Sequence, residues 1–447
     1  MSDVTTAETP GPAPETEVGS YFVANYPPFS VWTPEAVAAE GLPALHRAPV
    51  AGTPLGLYLH IPFCRKRCHF CYFRVYTGKN AEEVNSYLDL IAREWEIYAA
   101  LPAIAGRPLD FVYFGGGTPS FLSTTQLGGL VSRLKAATPW DRAEEVTFEC
   151  EPGTLTEPKL SVIRDIGVTR LSLGVEHFDD HILELNGRAH RSAEIVRAYA
   201  FARGLGFPQI NIDLIAGMLG ETDAKWSAAI DRVLELEPDS ITIYQMELPF
   251  NTTISRDKLK HLGQFEETVA GWDTKRRWVD EAFSRLERAG YHVGSAYTVV
   301  KDPARARFVY RDRLWQGADL AGLGVASFGH VNGVHLQNLD SWETYGAGIE
   351  AGAPPLARAY RPSPDERLIR EFVLQLKKGA VAPSYFAGKY GVDVLDRFAA
   401  PLASLQREGY LAALGPDRIA LTRQALLRVD VLLHRFFLPQ HTGIRYT

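Results

Sequence analysis

Short apolar runs alternate with longer amphipathic segments over residues 51–246, and this alternation restricts the possible folds more than any other feature. The short runs are rich in β-branched and aromatic residues and predict strands, whereas the segments between them predict helices. The strands are apolar almost throughout, as expected when helices cover a parallel sheet. The predicted strands are 55–61, 110–115, 145–150, 170–175, 210–217 and 240–246. The predicted helices are 82–101, 124–137, 156–167, 190–206 and 222–237.

Six consecutive strand–helix units predict an α/β fold, a partial (β/α)6 barrel of the TIM type. In such barrels the chemistry lies at the carboxyl ends of the strands. Residues 363–447 differ from the barrel, because two amphipathic helices precede a short strand pair in DRIALT and one more helix, RQALLRVDVLLHRFF. This order predicts an α-rich, winged-helix-like C-terminal domain.

Composition shifts divide the rest of the chain. Residues 1–18 contain almost no large apolar side chains and are predicted to be disordered. Residues 19–50 form an arm that carries the aromatic segment YFVANYPPFSVW, which either packs onto a domain or covers an active site as a lid. The barrel is assigned to 51–300, where YHVGSAY adds one more strand, and a Gly-rich region is assigned to 301–362.

The charge balance and hydropathy pattern exclude several classes of protein. The formal net charge of −6 argues against a nucleic-acid-binding protein, which normally carries a basic excess. No apolar run approaches the roughly 20 residues needed to cross a bilayer. The N-terminus also lacks the basic and apolar regions of a secretory signal. We therefore expect a soluble cytoplasmic protein.

Three of the four cysteines, Cys64, Cys68 and Cys71, fall within eight positions in a C-x3-C-x2-C spacing. Three cysteines on one loop can ligate three irons of a [4Fe–4S] cluster and leave the fourth iron open. A structural zinc site would need a fourth ligand, and His69 between two of the cysteines is the available candidate. The spacing favours the cluster over zinc or free thiols. Cys150, on the third predicted strand, is interpreted as a small buried hydrophobic residue.

The segment YLHIPFCRKRCHFCYF at 58–73 resembles the radical S-adenosylmethionine (SAM) superfamily, and within it the branch of the oxygen-independent coproporphyrinogen III oxidases. The resemblance extends over about residues 55–440. It implies a [4Fe–4S] cluster, SAM, and an electron donor such as flavodoxin or ferredoxin. In this superfamily the reduced cluster passes one electron to SAM, and the resulting 5′-deoxyadenosyl radical abstracts a hydrogen atom. The resemblance also implies a monomer that acts on a small molecule.

The same resemblance assigns a SAM site. Gly115, Gly116, Gly117 and Thr118 in GGGTP match the strand end that holds the methionine part of SAM. The remaining candidates match residues that contact the adenine, the ribose or the carboxylate of SAM. They are Tyr58, Phe70, Tyr72, Glu149, Glu176, Arg188 and Asp213. Many relatives have Gln where this chain has Glu176. Asp213 lies inside an apolar strand, so its carboxylate needs a partner.

Three reactions are compatible with the branch. Decarboxylation of coproporphyrinogen III is disfavoured, because the decarboxylases carry a further cysteine where this chain has Phe73. A haem chaperone-like role is compatible with Phe73. The stretch GADLAGLGVASFGHVNGVHLQN is similar to the class C methyltransferases and cyclopropanases, and this third reading is favoured. It implies methyl or methylene transfer to an sp² carbon of an unsaturated or aromatic substrate.

The class C resemblance implies that two SAM molecules are bound. Trp315, Gln316, Gly322 and Gly324 are candidates for the second SAM site. His330 and His335 are candidates for proton transfer, since a histidine pKa suits acid–base work near neutral pH. A purely structural role for these residues stays open.

Overall fold

The computed structural model describes residues 22–249, 252–260 and 269–442. It confirms the six predicted strands and the five predicted helices to within a few residues. The strands are β1 Leu55–Ile61, β2 Phe111–Gly116, β3 Glu145–Cys150, β4 Arg170–Glu176, β5 Gln209–Ala216, β6 Ser240–Gln245, β7 His292–Val293, β8 Thr298–Val300, β9 Asp319–Leu323, β10 Phe328–Val331, β11 Val334–Asn338, β12 Leu356–Tyr360, β13 Ala380–Val381, β14 Leu411–Leu414 and β15 Ile419–Leu421.

The helices of the first half are α1 Leu42–His46, α2 Ala81–Ala99, α3 Thr124–Ala137, α4 Glu157–Asp165, α5 Asp180–Leu185, α6 Ser192–Gly204, α7 Asp223–Leu236, α8 Thr253–Lys260 and α9 Trp272–Arg288. Those of the second half are α10 Val309–Trp315, α11 Trp342–Glu350, α12 Pro364–Leu376, α13 Pro383–Tyr390, α14 Val394–Arg397, α15 Ala399–Arg407, α16 Arg423–Leu426 and α17 Val429–Leu433. None of these described helices is both long enough and apolar enough to span a membrane.

Strands β1 to β6 pair in sequence order and run parallel, which gives the partial barrel of the radical SAM type. The sheet continues beyond β1 through β9, which is parallel to β1, and then through the antiparallel strands β10, β11 and β12. At the other edge β8 and β7 are antiparallel. The predicted strand YHVGSAY is wrong in extent, because residues 294–297 form the turn between β7 and β8.

The two faces of the barrel strands differ in polarity. Leu57, Leu59 and Ile61 of β1 are fully buried in the large core that the strands form with the outer helices. Because side chains alternate along a strand, the intervening residues face the barrel interior. On β3 to β6 these interior residues are mainly polar, which explains why runs that look apolar in sequence still carry Arg170 and Asp213.

The C-terminal residues form the α-rich region predicted from the sequence, with α12 to α17 around the three-stranded sheet β13-β15-β14. The predicted last helix, 423–437, is wrong as a single element. It is divided into α16 and α17 because Arg428 leaves the helical conformation, with φ −127° and ψ 23°.

The described part of the arm packs against this C-terminal region. Val23 and Tyr26 are fully buried in the same apolar cluster as Phe372 and Phe436. The part of the chain predicted to be disordered, residues 1–18, lies outside the described residues.

Candidate active site

The cysteine loop begins three residues after β1, at the carboxyl end of the barrel. Backbone hydrogen bonds fix it, from Cys64 N to Tyr76 O at 3.0 Å and from Cys71 N to Cys68 O at 3.2 Å. Thr118 Oγ1 donates to Cys64 Sγ at 3.3 Å. Burial raises the pKa of the Cys71 thiol to about 12, and the neighbouring Cys68 adds to this effect. A buried thiol of this kind needs nearby positive charge before it can act as a thiolate, and iron would supply that charge.

The donor set fits a cluster better than a single metal ion. Within the described ranges no three His, Cys, Asp or Glu side chains converge as one ion would require. Cluster ligands need no such convergence, because each cysteine binds a different iron of the cubane. Cys150 is 4% exposed on β3 and belongs to the large apolar core, which confirms that it is a buried hydrophobic residue.

The glycines of GGGTP pack the end of β2 closely against β1 and the cysteine loop. Gly116 has φ +112°, and a Cβ there would lie 2.7 Å from Nδ1 of His60. A Cβ at Gly117 would lie 2.8 Å from the carbonyl carbon of Pro62 and 3.1 Å from Cys64 Sγ. Only glycine fits both positions, so the backbone at the end of β2 packs directly against the cysteine loop.

Two carboxylates, one on β3 and one on β5, face this region. Glu149 accepts hydrogen bonds from Tyr113 Oη at 2.6 Å and from Gly116 N at 3.2 Å. Burial raises the pKa of Glu149 to about 7. The Asp213 carboxylate accepts from Ser172 Oγ and Asn211 Nδ2, each at 2.8 Å, which confirms the expectation that it has partners. Burial also raises the pKa of Asp213. Both carboxylates can therefore accept a hydrogen bond from a hydroxyl or a cationic amino group.

Arg188 connects the cysteine loop to the end of β4. Its Nη1 donates to Cys68 Sγ at 3.3 Å, its Nη2 donates to Gly174 O at 2.5 Å, and the same Nη2 lies 3.6 Å from Glu176 Oε1. Glu176 adopts the left-handed conformation, with φ +63°, at a register shift of the β4–β5 pair. Such conformations are uncommon outside glycine and occur where a site demands them. Burial raises the pKa of Glu176 to about 7.

Sequence reasoning missed an ion-pair network beneath the loop. Glu151 binds Arg65 at 2.8 Å and accepts from Nδ1 of His190 at 2.9 Å. Burial opposes the charged form of Glu151, but His190 and Arg65 lower its pKa to about 2. Sequence reasoning also missed Arg170 and Tyr113 in the barrel interior. A charged residue inside an apolar strand, the signal that identified Asp213, could have identified Arg170 as well.

Three aromatic side chains of the cysteine loop lie at the carboxyl end of the barrel. Phe70 packs against Ile182, Met218 and Met246. Its neighbours on the cysteine loop, Tyr72 and Phe73, are 37% and 48% exposed.

The structure does not bring the candidate histidines to the cysteine loop. His330 and His335 pair across β10 and β11, with their Nδ1 atoms 2.9 Å apart. His330 also pairs with Leu320, which pairs with Gly56 near the start of β1, whereas Cys64 follows the end of β1. Trp32 of the arm stacks on His335 at 5.0 Å between ring centroids. Both rings are buried and lie away from the cysteine loop, and proton transfer by this pair stays a prediction.

Three of the four candidates for a second SAM site also pack against other protein atoms. A Cβ at Gly322 would lie 2.1 Å from the Phe328 carbonyl oxygen, and one at Gly324 would lie 2.6 Å from Tyr87 Oη. Trp315 is buried in the C-terminal apolar cluster. Gln316 is exposed, and its carbonyl oxygen accepts from Lys389 Nζ at 2.7 Å. Close backbone approach accounts for the two glycines, and binding of a second SAM by these four residues stays a prediction.

Comparison with known proteins identifies the family. Residues 58–233 match the model of the radical SAM superfamily, a range that includes the cysteine loop, GGGTP, Glu149, Arg188 and Asp213. The matched residues therefore form a radical SAM domain. As a radical SAM enzyme it uses a [4Fe–4S] cluster and SAM, and the matched range contains Cys64, Cys68 and Cys71.

The relatives of this radical SAM protein cover most of its length. It is 27% identical over 360 residues to the heme chaperone HemW of Bacillus subtilis, with 79% of this chain and 92% of the relative covered. It is 27% identical over 409 residues to an oxygen-independent coproporphyrinogen III oxidase of Pseudomonas aeruginosa, with 88% and 84% covered. The structure of coproporphyrinogen III oxidase (HemN) from Escherichia coli superposes with a TM-score of 0.80 at 25% identity, with 93% and 96% of the two chains covered.

These relatives contradict the expectation of methyl or methylene transfer. They are named as coproporphyrinogen III oxidases and heme chaperones, the two alternatives that the sequence left open. The Gly-rich stretch misled the sequence reasoning because its glycines are required by strand packing at Gly322 and Gly324 rather than by a substrate.

Proposed function

We propose that this radical SAM protein binds a tetrapyrrole at the carboxyl end of its barrel, and that haem is the tetrapyrrole. The observation that carries the proposal is the position of the exposed aromatic rings. Among the described residues, the large hydrophobic side chains at least about a third exposed include four aromatic ones, Tyr72, Phe73, Tyr244 and Phe328.

All four residues lie near the carboxyl ends of parallel strands. Tyr72 and Phe73 belong to the cysteine loop, and their ring centroids are 4.7 Å apart. Tyr244 lies near the end of β6, and Phe328 begins β10 beside the end of β9. Exposed aromatic surface costs free energy in water, and a clustered patch of it indicates a binding surface. A flat macrocycle matches such rings through offset stacking.

A cleft beside Tyr244 adds charge to this surface. Its lining includes Arg276 and Arg428 as well as the acids Glu247 and Asp430. Both acids already have partners, since Asp430 pairs with Lys377 and Glu247 accepts from Phe22 N. Haem carries two carboxylates on one edge, and arginine forms bidentate hydrogen bonds with carboxylates. An aromatic rim next to arginines therefore suits a flat acidic ligand better than a neutral one.

Phe73 favours haem binding over decarboxylation, because the decarboxylases that this chain resembles carry a cysteine at that position. The heme chaperone of Bacillus subtilis among the relatives supports the same choice. When bound, the cluster and SAM supply an organic radical that can abstract hydrogen. The residues of this chain orient SAM, through Glu149, Asp213 and Arg188, and keep its environment apolar, through Phe70.

Haem titration of the anaerobically reconstituted protein tests the proposal, with the Soret absorbance as the readout. Phe73→Ala and Tyr244→Ala should each weaken haem binding by about tenfold, since losing one stacked ring costs about 1.4 kcal/mol. Leu414→Ala is the matched control, because Leu414 is similarly exposed but lies on β14. Absence of saturable haem binding to the wild type, or equal weakening in the control, would contradict the proposal.

Oxidation of coproporphyrinogen III is the second candidate. The match to the Escherichia coli enzyme favours it, because it covers 93% of this chain. Release of CO2 and a product of lower mass from coproporphyrinogen III, in the presence of SAM and a reductant, would establish this activity. If the same sample also fails to bind haem, oxidation of coproporphyrinogen III replaces haem binding as the proposed function.

A further inference from the structure

A cavity of about 160 Å³ lies at the end of the barrel opposite the cysteine loop. Arg170, Gln209 and Ser240, the first residues of β4, β5 and β6, line it. At about 3.3 Å per residue, the seven residues of β4 separate this cavity from Glu176 by roughly 20 Å. The cavity is therefore distinct from the candidate SAM site.

Arg170 is the central side chain of the cavity. It is 2% exposed, and its Nε and Nη1 atoms have no hydrogen-bond partner. Its guanidinium carbon lies 4.1 Å from the centroid of the Phe308 ring. A buried guanidinium with two unpaired donor atoms is costly, so its retention indicates a partner that binds from the cavity.

The nearby carboxylates do not provide this partner. Glu145 accepts hydrogen bonds from Val309 N at 2.8 Å and from Tyr310 N at 3.1 Å, and thereby caps the start of α10. Asp213 is hydrogen-bonded to Ser172 and Asn211. Glu145 and Asp213 both attract the Arg170 guanidinium electrostatically. Their oxygens, however, accept hydrogen bonds from other groups.

Further cations line the same cavity. Arg307, Arg311 and Lys378 join Arg170, whereas Asp312 is the one acid among the lining residues. Asp312 lies 2.8 Å from Arg311 Nη2 and 3.2 Å from Lys378 Nζ. Even so, Nη1 of Arg311 is buried without a hydrogen-bond partner. The lining therefore carries four cations against one acid.

We propose that this cavity binds a small dianionic oxyanion, either a phosphate group or a short dicarboxylate. Guanidinium groups match the oxygens of both chemistries, and a planar arginine stacked on an aromatic ring is held ready for such a ligand. The volume admits a ligand of this size but not a tetrapyrrole. The inference does not depend on the proposed haem binding, because the two sites lie at opposite ends of the barrel.

Calorimetric titration of the full-length reconstituted protein tests this site, with inorganic phosphate and malonate as separate probes at constant ionic strength. The wild type should bind at least one probe saturably, and the tighter probe identifies the ligand class. Arg311→Gln and Lys378→Gln should each weaken that binding at least fivefold. Arg170→Gln should abolish it, provided that circular dichroism shows a folded protein.

Arg313→Gln is the matched control, because Arg313 lies on the same helix as Arg311 but pairs with Glu144 outside the cavity lining. It should bind the probe as the wild type does. Absence of saturable binding of both probes to the wild type overturns the proposal. Equal affinity in the wild type, Arg311→Gln and Lys378→Gln overturns it as well.

Discussion

The guanidinium of Arg188 donates from Nη1 to Cys68 Sγ at 3.3 Å and from Nη2 to Gly174 O at 2.5 Å. One side chain thus joins the cysteine loop to the carboxyl end of β4. Burial works against the charged form, but the Cys68 sulfur and the Glu176 carboxylate raise the pKa of Arg188 above its usual value. Arg188 therefore keeps its charge where the carboxylate of SAM is expected.

Arg188→Lys tests this arrangement. Lysine keeps the positive charge but loses the planar fork of donors, so we expect at least tenfold weaker SAM binding with the iron content unchanged. Equilibrium dialysis with SAM and iron analysis measure the two effects. Arg191→Lys is the control, because Arg191 is more exposed and pairs with Glu184. Unchanged SAM affinity in Arg188→Lys would remove Arg188 from the SAM site.

The stability of the fold should depend on pH through Glu94. This carboxyl is fully buried and accepts hydrogen bonds from Gly324 N at 2.7 Å, Asn338 Nδ2 at 2.6 Å and Tyr345 Oη at 2.5 Å. Burial raises its pKa to about 8. Because the folded pKa lies above the unfolded value near 4.5, the contribution of Glu94 to stability is complete below about pH 4.5 and is lost as pH rises through about 8.

The free energy of unfolding of the wild type, measured by chemical denaturation between pH 6 and pH 9, should therefore fall as the pH rises. Glu94→Gln should be less stable at pH 6 by about 1–3 kcal/mol, since its amide leaves a buried donor unpaired. The same variant should show a flatter pH dependence over this range. A pH dependence identical to that of the wild type would contradict the assignment to Glu94.

Gly322 should tolerate no side chain, because a Cβ there would lie 2.1 Å from the backbone oxygen of Phe328. Gly322→Ala should lower the unfolding temperature by several degrees, since backbone atoms must move. Gly128→Ala, at an open position of α3, should instead raise stability by about 0.5–1 kcal/mol. If Gly322→Ala has wild-type stability but binds SAM poorly, the glycine belongs to a ligand site instead.

The barrel could be predicted because local sequence patterns determine it. Strands such as Leu55–Ile61 combine β-branched or aromatic residues with continuous burial, and helix starts carry capping residues. Ser123 and Thr156, for example, cap α3 and α4 through their side chains. The cysteine loop was also predictable from local sequence, since its three cysteines lie within eight positions.

The second half of the chain could not be predicted in the same way. The pairing of His330 with His335 and the stacking of Trp32 on His335 depend on contacts between distant segments. A Gly-rich segment gives no periodic pattern from which such contacts follow. The cavity around Arg170 likewise depends on α10, whose residues are distant in sequence from β4.

The assignment of the cluster to three of the four cysteines is the central claim. Iron analysis and electron paramagnetic resonance of the reduced, anaerobically reconstituted protein test it most directly. The wild type and Cys150→Ala should each hold about four irons per chain, because Cys150 is buried in the apolar core.

Cys64→Ala, Cys68→Ala and Cys71→Ala should each lose the cluster signal and the cleavage of SAM to methionine and 5′-deoxyadenosine. We expect loss of the cluster in all three variants and its retention in Cys150→Ala. Retention of about four irons and SAM cleavage in Cys68→Ala would contradict it.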